Sequence, residues 1–168
     1  IPNREVAQEY VNAISTMDWT EVTRAIDASK KLLESLWGMD ADAVAKGVEE
    51  AHNEFSILQY NDENSLSCTI WLAFYFAREY YTIVRELPTG KGFADICLIP
   101  RKRYADKPAV VIELKWDKSA EGAIRQIKEK NYINALKEYK GNLLLAGINY
   151  DKDSKKHSCV IERCVKIE

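Results

Sequence analysis

The stretch Gly92-Phe93-Ala94-Asp95-Ile96-Cys97-Leu98-Ile99, followed after a polar turn by Pro108-Ala109-Val110-Val111-Ile112-Glu113-Leu114-Lys115-Trp116, decides the reading of this chain. Both are short apolar runs bounded by turn residues, the pattern of buried strands joined as a hairpin. Strand side chains alternate between faces. Val111, Glu113 and Lys115 therefore share one face, and Ile112, Leu114 and Trp116 the other. On the first strand Asp95 lines up with Phe93, Cys97 and Ile99. Two acids and a lysine inside apolar strands are costly unless they pair or bind a metal, and such violations concentrate at functional sites. Two carboxylates converging at a hairpin make a hard-oxygen site that suits Mg2+ or Mn2+. The backbone carbonyl of Leu114, between Glu113 and Lys115, is a candidate third ligand. A lysine beside the ion can hold a phosphate oxygen or an attacking water, so the set fits metal-assisted phosphodiester hydrolysis. The competing reading, a Glu113–Lys115 ion pair on an exposed strand, sits badly with the apolar flanks. A second Glu-x-Lys, Glu138-Tyr139-Lys140, falls at the end of an expected helix, where residues two apart do not face each other.

The pattern Asp95…Glu113-x-Lys115 resembles the PD-(D/E)XK nuclease superfamily. The surrounding order agrees with that family's core. Asn61-Asp62-Glu63-Asn64 opens a helix through Trp71, Phe74 and Phe76 (62–79). Then come the strand Tyr81–Leu87, the Gly-rich turn Thr89–Gly92, the two motif strands, a helix from Ser119 to about Tyr139, and a strand in Gly141–Asn149. The resemblance implies an α/β, restriction-endonuclease-like core (helix, three strands, helix, strand) with a mixed central sheet flanked by helices. It covers roughly residues 52 to 165. In detail, Trp116-Asp117-Lys118-Ser119-Ala120 and Gly147-Ile148-Asn149-Tyr150-Asp151 resemble the nuclease-like domain at the C-terminus of bacterial AAA-ATPase-like proteins. An upstream ATPase-like domain in the same chain is thereby implied as a partner, with DNA, or else RNA, as substrate.

The resemblance also implicates two further residues. The first core helix of such nucleases often supplies a glutamate, and Glu63 occupies that place, in register with Leu66, Ile70 and Phe74. Its ordinary alternative is a favourable interaction with the helix N-terminus. Some relatives carry Gln-x-x-x-Tyr on the helix after the lysine. Gln126 matches the glutamine, but Lys130 stands where the tyrosine would be, and Tyr132 reads as a packing aromatic. Asp117 is expected to join Ser119 in capping that helix.

The chain has 168 residues and 46% apolar content, enough for one domain with a proper core. No apolar run approaches the ~20 residues of a membrane span, and no stretch of the sequence reads as a signal peptide. The start, Ile1-Pro2-Asn3, reads as a fragment of a longer protein. Cys68, Cys97, Cys159 and Cys164 lack Cys-x-x-Cys spacing and read as reduced packing residues of a cytoplasmic protein. With only His52 and His157, a zinc site or a histidine-based nuclease is excluded as the leading reading.

Charge is uneven. Residues 1–64 hold thirteen acidic and five basic side chains, a net of −8, while residues 65–168 hold thirteen acidic and nineteen basic ones, a net of +6. The basic part contains the motif, and Arg101-Lys102-Arg103 with Lys118, Arg125, Lys128 and Lys130 are candidates for phosphate contacts. The acidic part, residues 1–58, reads as helices: one with Val6, Tyr10 and Ile14 at helical spacing, one from Thr20 to a stop at Gly38, and one from Asp40 to His52. It forms a helical subdomain, or a joint to an upstream domain, on a nuclease-like core of residues 59–168. The function expected is metal-dependent hydrolysis of nucleic acid. The alternative is an inactive nucleic-acid-binding or protein-interaction module of the same fold.

Overall fold

The structure, a computed structural model, describes residues 19–54, 63–88, 93–130, 136, 138–139 and 141–164. Its elements in chain order are α1 (Trp19–Trp37), α2 (Ala41–Glu54), α3 (Glu63–Ala73), a 3-10 turn (Tyr75–Glu79), β1 (Tyr81–Pro88), β2 (Phe93–Pro100), a short 3-10 turn (Lys102–Tyr104), β3 (Ala109–Trp116), α4 (Ala120–Glu129), β4 (Leu143–Asp151) and β5 (Lys156–Arg163). The five strands form one mixed sheet in the order β1-β2-β3-β4-β5. Only β3 and β4 run parallel, joined through α4; the other neighbours are antiparallel. The mixed sheet flanked by helices is the architecture read from the sequence.

The alternation of β3 sorts the interior into two layers. Ile112 and Leu114, with Ile96, Leu98, Leu144, Ala146 and Ile148, pack against Leu33 and Leu36 of α1, Val44 and Val48 of α2, and Leu66 and Ile70 of α3. Val111, with Cys97 and Leu145, packs against Ile124 and Ile127 of α4 and against Leu136. The helices α1 and α2 thus share a core with the sheet. The expected division at 58/59, and the expected helix through Val6, Tyr10 and Ile14, lie outside the described residues.

Local signals explain the end of α1 and the start of α2. After Trp37, the Gly38 N–H returns to the Glu34 carbonyl at 2.9 Å and closes α1. The Asp40 carboxylate accepts the Ala43 N–H at 3.0 Å and caps α2. Trp37 Nε1 donates to Tyr81 Oη at 2.6 Å, and that hydroxyl donates to the Pro108 carbonyl at 2.9 Å, so one buried tyrosine ties α1 to the start of the sheet.

Two expected helices are shorter than the sequence suggested. The helix over 62–79 stops at Ala73 and continues as the 3-10 turn. Phe74 takes φ −93° and ψ 24°, and the Phe76 N–H donates to Ser29 Oγ on α1 at 2.9 Å, a tertiary contact in place of a helical one. The helix expected to reach about Tyr139 ends at Glu129 with Lys130 as its cap. Lys130, the cap, stands where the apolar stripe of Ala123 and Ile127 would continue. Among the described residues no helix is long and apolar enough to cross a membrane.

Candidate active site

The site grows from the junction of β2, β3 and α4. The β2–β3 ladder pairs Ile96, Cys97 and Leu98 with Ile112, Val111 and Val110. One step further, that register sets Asp95 across from Glu113. Here a side chain takes over from the backbone: the Leu114 N–H donates to Asp95 Oδ2 at 2.8 Å. A strand residue sends its N–H and C=O to the same side, so the Leu114 carbonyl also faces β2 and the gap beside Asp95.

Glu113 is 1% exposed and Lys115 8% exposed, on the strand face covered by α4. Burying two charges this deeply is tolerable only if they are paired. The Lys115 ammonium lies 3.3 Å from Glu113 Oε1, and the Gln126 side-chain amide of α4 donates to the same oxygen. The second oxygen, Glu113 Oε2, is buried without a hydrogen-bond partner. Burial, with the Asp95 charge next, pushes the Glu113 carboxyl up from 4.5 to about 7; Lys115 and Lys130 pull the other way. Cys97, directly below, is pushed up to about 12, first by burial and then by the charges of Glu113 and Asp95. It is an inert packing thiol.

Of the residues singled out in the sequence, the structure brings together Asp95, Glu113, Leu114, Lys115 and Gln126. Glu63 opens α3, on the helical layer that covers the opposite face of the sheet, and its side chain lies outside those described, as does Tyr132. Asp117 does not cap α4. Ser119 alone does so, accepting the Gly122 N–H at 3.0 Å, while Asp117 sits at φ 54° with its carboxylate 2.8 Å from Lys152. The basic run Arg101–Arg103 follows β2, at the opposite end of the strands from Glu113 and Lys115. Arg103 there pairs with Glu79 at 2.8 Å, and Lys128 pairs with Glu162 at 2.6 Å.

Sequence reasoning missed two residues of β4. The parallel ladder places Gly147 beside Glu113 and Asn149 beside Lys115. A Cβ on Gly147 would stand 2.3 Å from the Ala120 carbonyl and 2.9 Å from the Ala123 Cβ, so the absent side chain lets α4 settle over the site. Asn149 is 4% exposed and accepts the Lys118 N–H at 2.9 Å. A glycine inside an apolar strand was the one available signal, since it marks a close approach.

Among the described residues no three His, Cys, Asp or Glu side chains cluster as a metal site. The donors gathered here are two carboxylates and a backbone carbonyl, all oxygen. That set, with a buried oxygen lacking any partner, fits a hard divalent cation that completes its shell with water and phosphate oxygens. The family model of the PD-(D/E)XK nuclease superfamily matches residues 61–159, more than half of the chain and a span that holds all of these residues. No curated protein matches the chain.

Proposed function

The chain belongs to the PD-(D/E)XK nuclease superfamily, and from that premise we propose that it is a divalent-metal-dependent nuclease, hydrolysing phosphodiester bonds of DNA, or else RNA. The observation that carries the reading is Glu113: a carboxylate buried in a central strand, held at one oxygen by Lys115 and Gln126, with its other oxygen unpartnered beside Asp95. A structural ion pair would have no use for the second acid.

In this reading Asp95, Glu113 and the Leu114 carbonyl hold Mg2+ or Mn2+. Such an ion, when bound, polarises a phosphate oxygen and makes water a better nucleophile. The protein's own groups do the rest. Gln126 and Lys115 fix the Glu113 carboxylate in one orientation. The Lys115 ammonium, its stem packed in the sheet, orients the attacking water or offsets the charge that develops on the phosphate. Glu63 is kept as a further acid of the site on the strength of the family resemblance. So is the wider setting: the C-terminal domain of a bacterial, cytoplasmic protein with an upstream AAA-ATPase-like domain, the helical N-terminal part with its acidic α2 facing that neighbour.

The test is cleavage of plasmid DNA, single-stranded DNA and RNA with millimolar Mg2+ or Mn2+, using Asp95→Asn as the control. Metal-dependent cleavage by the wild type alone supports the reading. Binding of nucleic acid with no cleavage under any condition replaces it with the binding-module alternative.

A further inference from the structure

Three consecutive contacts bind the segment that leaves β3 onto β4. The Asp117 N–H, on a residue turned into the left-handed region, donates to the Tyr150 carbonyl at 2.7 Å. The Lys118 N–H donates to Asn149 Oδ1 at 2.9 Å. The first turn of α4 then rests on Gly147, close enough that a methyl group there would collide with Ala120 and Ala123. Two of these use the backbone or the absence of a side chain. Asn149 is the one side chain in the set.

Its position gives that side chain more than a packing role. In the parallel ladder Asn149 stands beside Lys115, and Gly147 beside Glu113. Aligned neighbours in a sheet project to the same face, so the Asn149 amide is on the face of the two site residues. From there it holds the turn that connects Lys115, on one side, to the helix carrying Gln126, on the other. Both of those groups meet on a single oxygen of Glu113. An amide buried this deeply costs stability unless its hydrogen bonds are made, and an apolar residue would fill a central strand position more cheaply. What the amide supplies is a fixed turn.

We propose that Asn149 is a positioning residue of the site: through the Lys118 N–H it locks the Trp116–Ser119 turn to β4, and so sets Lys115 and Gln126 together on Glu113. This rests on the nuclease reading for its catalytic consequence, but not for its geometric one. Asn149 touches neither the acids nor the substrate in this role. It acts through the turn, whose displacement by about 1 Å is enough to cost on the order of 100-fold in rate.

The experiment compares wild type, Asn149→Ala and Asn149→Asp. Aspartate keeps an oxygen for the Lys118 N–H; alanine does not. Hydrogen exchange by NMR reads the Lys118 backbone amide and the Gln126 side-chain amide, thermal melts report folding, and cleavage gives kcat and KM. For Asn149→Ala the expected result is a folded protein whose Lys118 and Gln126 amides both exchange at least tenfold faster. Its kcat falls by at least tenfold, and its KM stays within about twofold. Asn149→Asp should restore protection of both amides and recover most of the lost kcat. A residue needed only for packing would lower the melting temperature of Asn149→Ala and leave its kcat and the Gln126 amide unchanged; that result overturns the proposal. If the alanine variant does not fold, Asn149→Val, a strand former with no acceptor, carries the same comparison against Asn149→Asp. If the wild type cleaves nothing while the Gln126 amide is released in Asn149→Ala, the nuclease reading fails and the positioning role stands.

Discussion

Lys115 folds back along its own strand and meets Glu113, its ammonium 3.3 Å from Oε1 with both side chains buried. The pair is unequal. Glu113 offers two oxygens, and Lys115 and Gln126 share one of them. An ion can therefore be added without removing the lysine. Lys115→Ala should abolish cleavage, by roughly 100-fold or more, while keeping the Mg2+-dependent rise in melting temperature, or enlarging it, since a competing charge is gone. Cleavage assays and melts with and without Mg2+ on the same variant check both halves. Loss of the Mg2+ effect would place the lysine in metal binding.

Asp95→Asn separates the other way. Asparagine can still accept the Leu114 N–H through its oxygen, so the local backbone is kept, but the charge is lost. Both the Mg2+-dependent stabilisation and any cleavage should disappear. Persistent Mg2+ stabilisation in this variant would mean that the ion sits elsewhere.

The pH dependence has a definite sign. The folded state holds the Glu113 carboxyl at about 7, raised from 4.5 by burial and by Asp95. Folding therefore takes up a proton between these values, and the metal-free protein loses stability as pH rises through them, by roughly 3 kcal/mol. His157 has the reverse effect. Burial, then the His52 charge, lowers it from 6.5 to about 4, so its contribution is lost as pH falls through that range. Glu113→Gln removes the first slope only. Its melting temperature relative to wild type should climb from pH 5 to pH 8 without Mg2+. A constant difference would show that Glu113 titrates as an ordinary carboxylate.

Gly147→Ala should destabilise the protein by about 1–3 kcal/mol. The added methyl meets the Ala120 backbone, which cannot rotate away as a side chain would. Displacing α4 also moves Gln126 off Glu113, so the variant should lose activity even at temperatures where it remains folded. Denaturant melts and cleavage at low temperature distinguish the two losses.

Tyr81→Phe tests the hold between α1 and the sheet. The hydroxyl takes the Trp37 N–H and gives its own proton to the Pro108 carbonyl, in a side chain with no exposure. Deleting it leaves the Trp37 N–H and the Pro108 carbonyl, on two half-buried residues, without this partner and should cost about 1 kcal/mol, with Mg2+ binding unchanged. An unaltered melting curve would mean that α1 is held by its apolar face alone.

The strands and the acids were legible because their signal is local. Glu113 and Lys115 break a run of apolar residues at a spacing of two, and β3 spans Ala109–Trp116, as read from the sequence. Ser119 and Asp40 announced their helix starts in the same way. What escaped depends on partners distant along the chain. Nothing in Gly147-Ile148-Asn149 says which residue of β3 each will stand beside, so their roles could not be read before the register was known. The end of the first core helix was missed because the Phe76 N–H is drawn away by Ser29, a residue of another helix. The basic run Arg101–Arg103 was grouped with the site by charge alone. Strand direction places it at the other end.

The parallel pairing of β3 with β4 also fixes when, during synthesis, the site can exist. Asp95, Glu113, Lys115 and Gln126 are all translated before β4, whose Gly147 and Asn149 seat α4 and the turn. A nascent chain or proteolytic fragment ending near residue 140 would carry every motif residue and lack the strand on which α4 and the turn are seated. Such non-local pairing is also the slow part of folding. Competence to bind an ion should thus arrive late and all at once, when the fourth strand adds to the sheet.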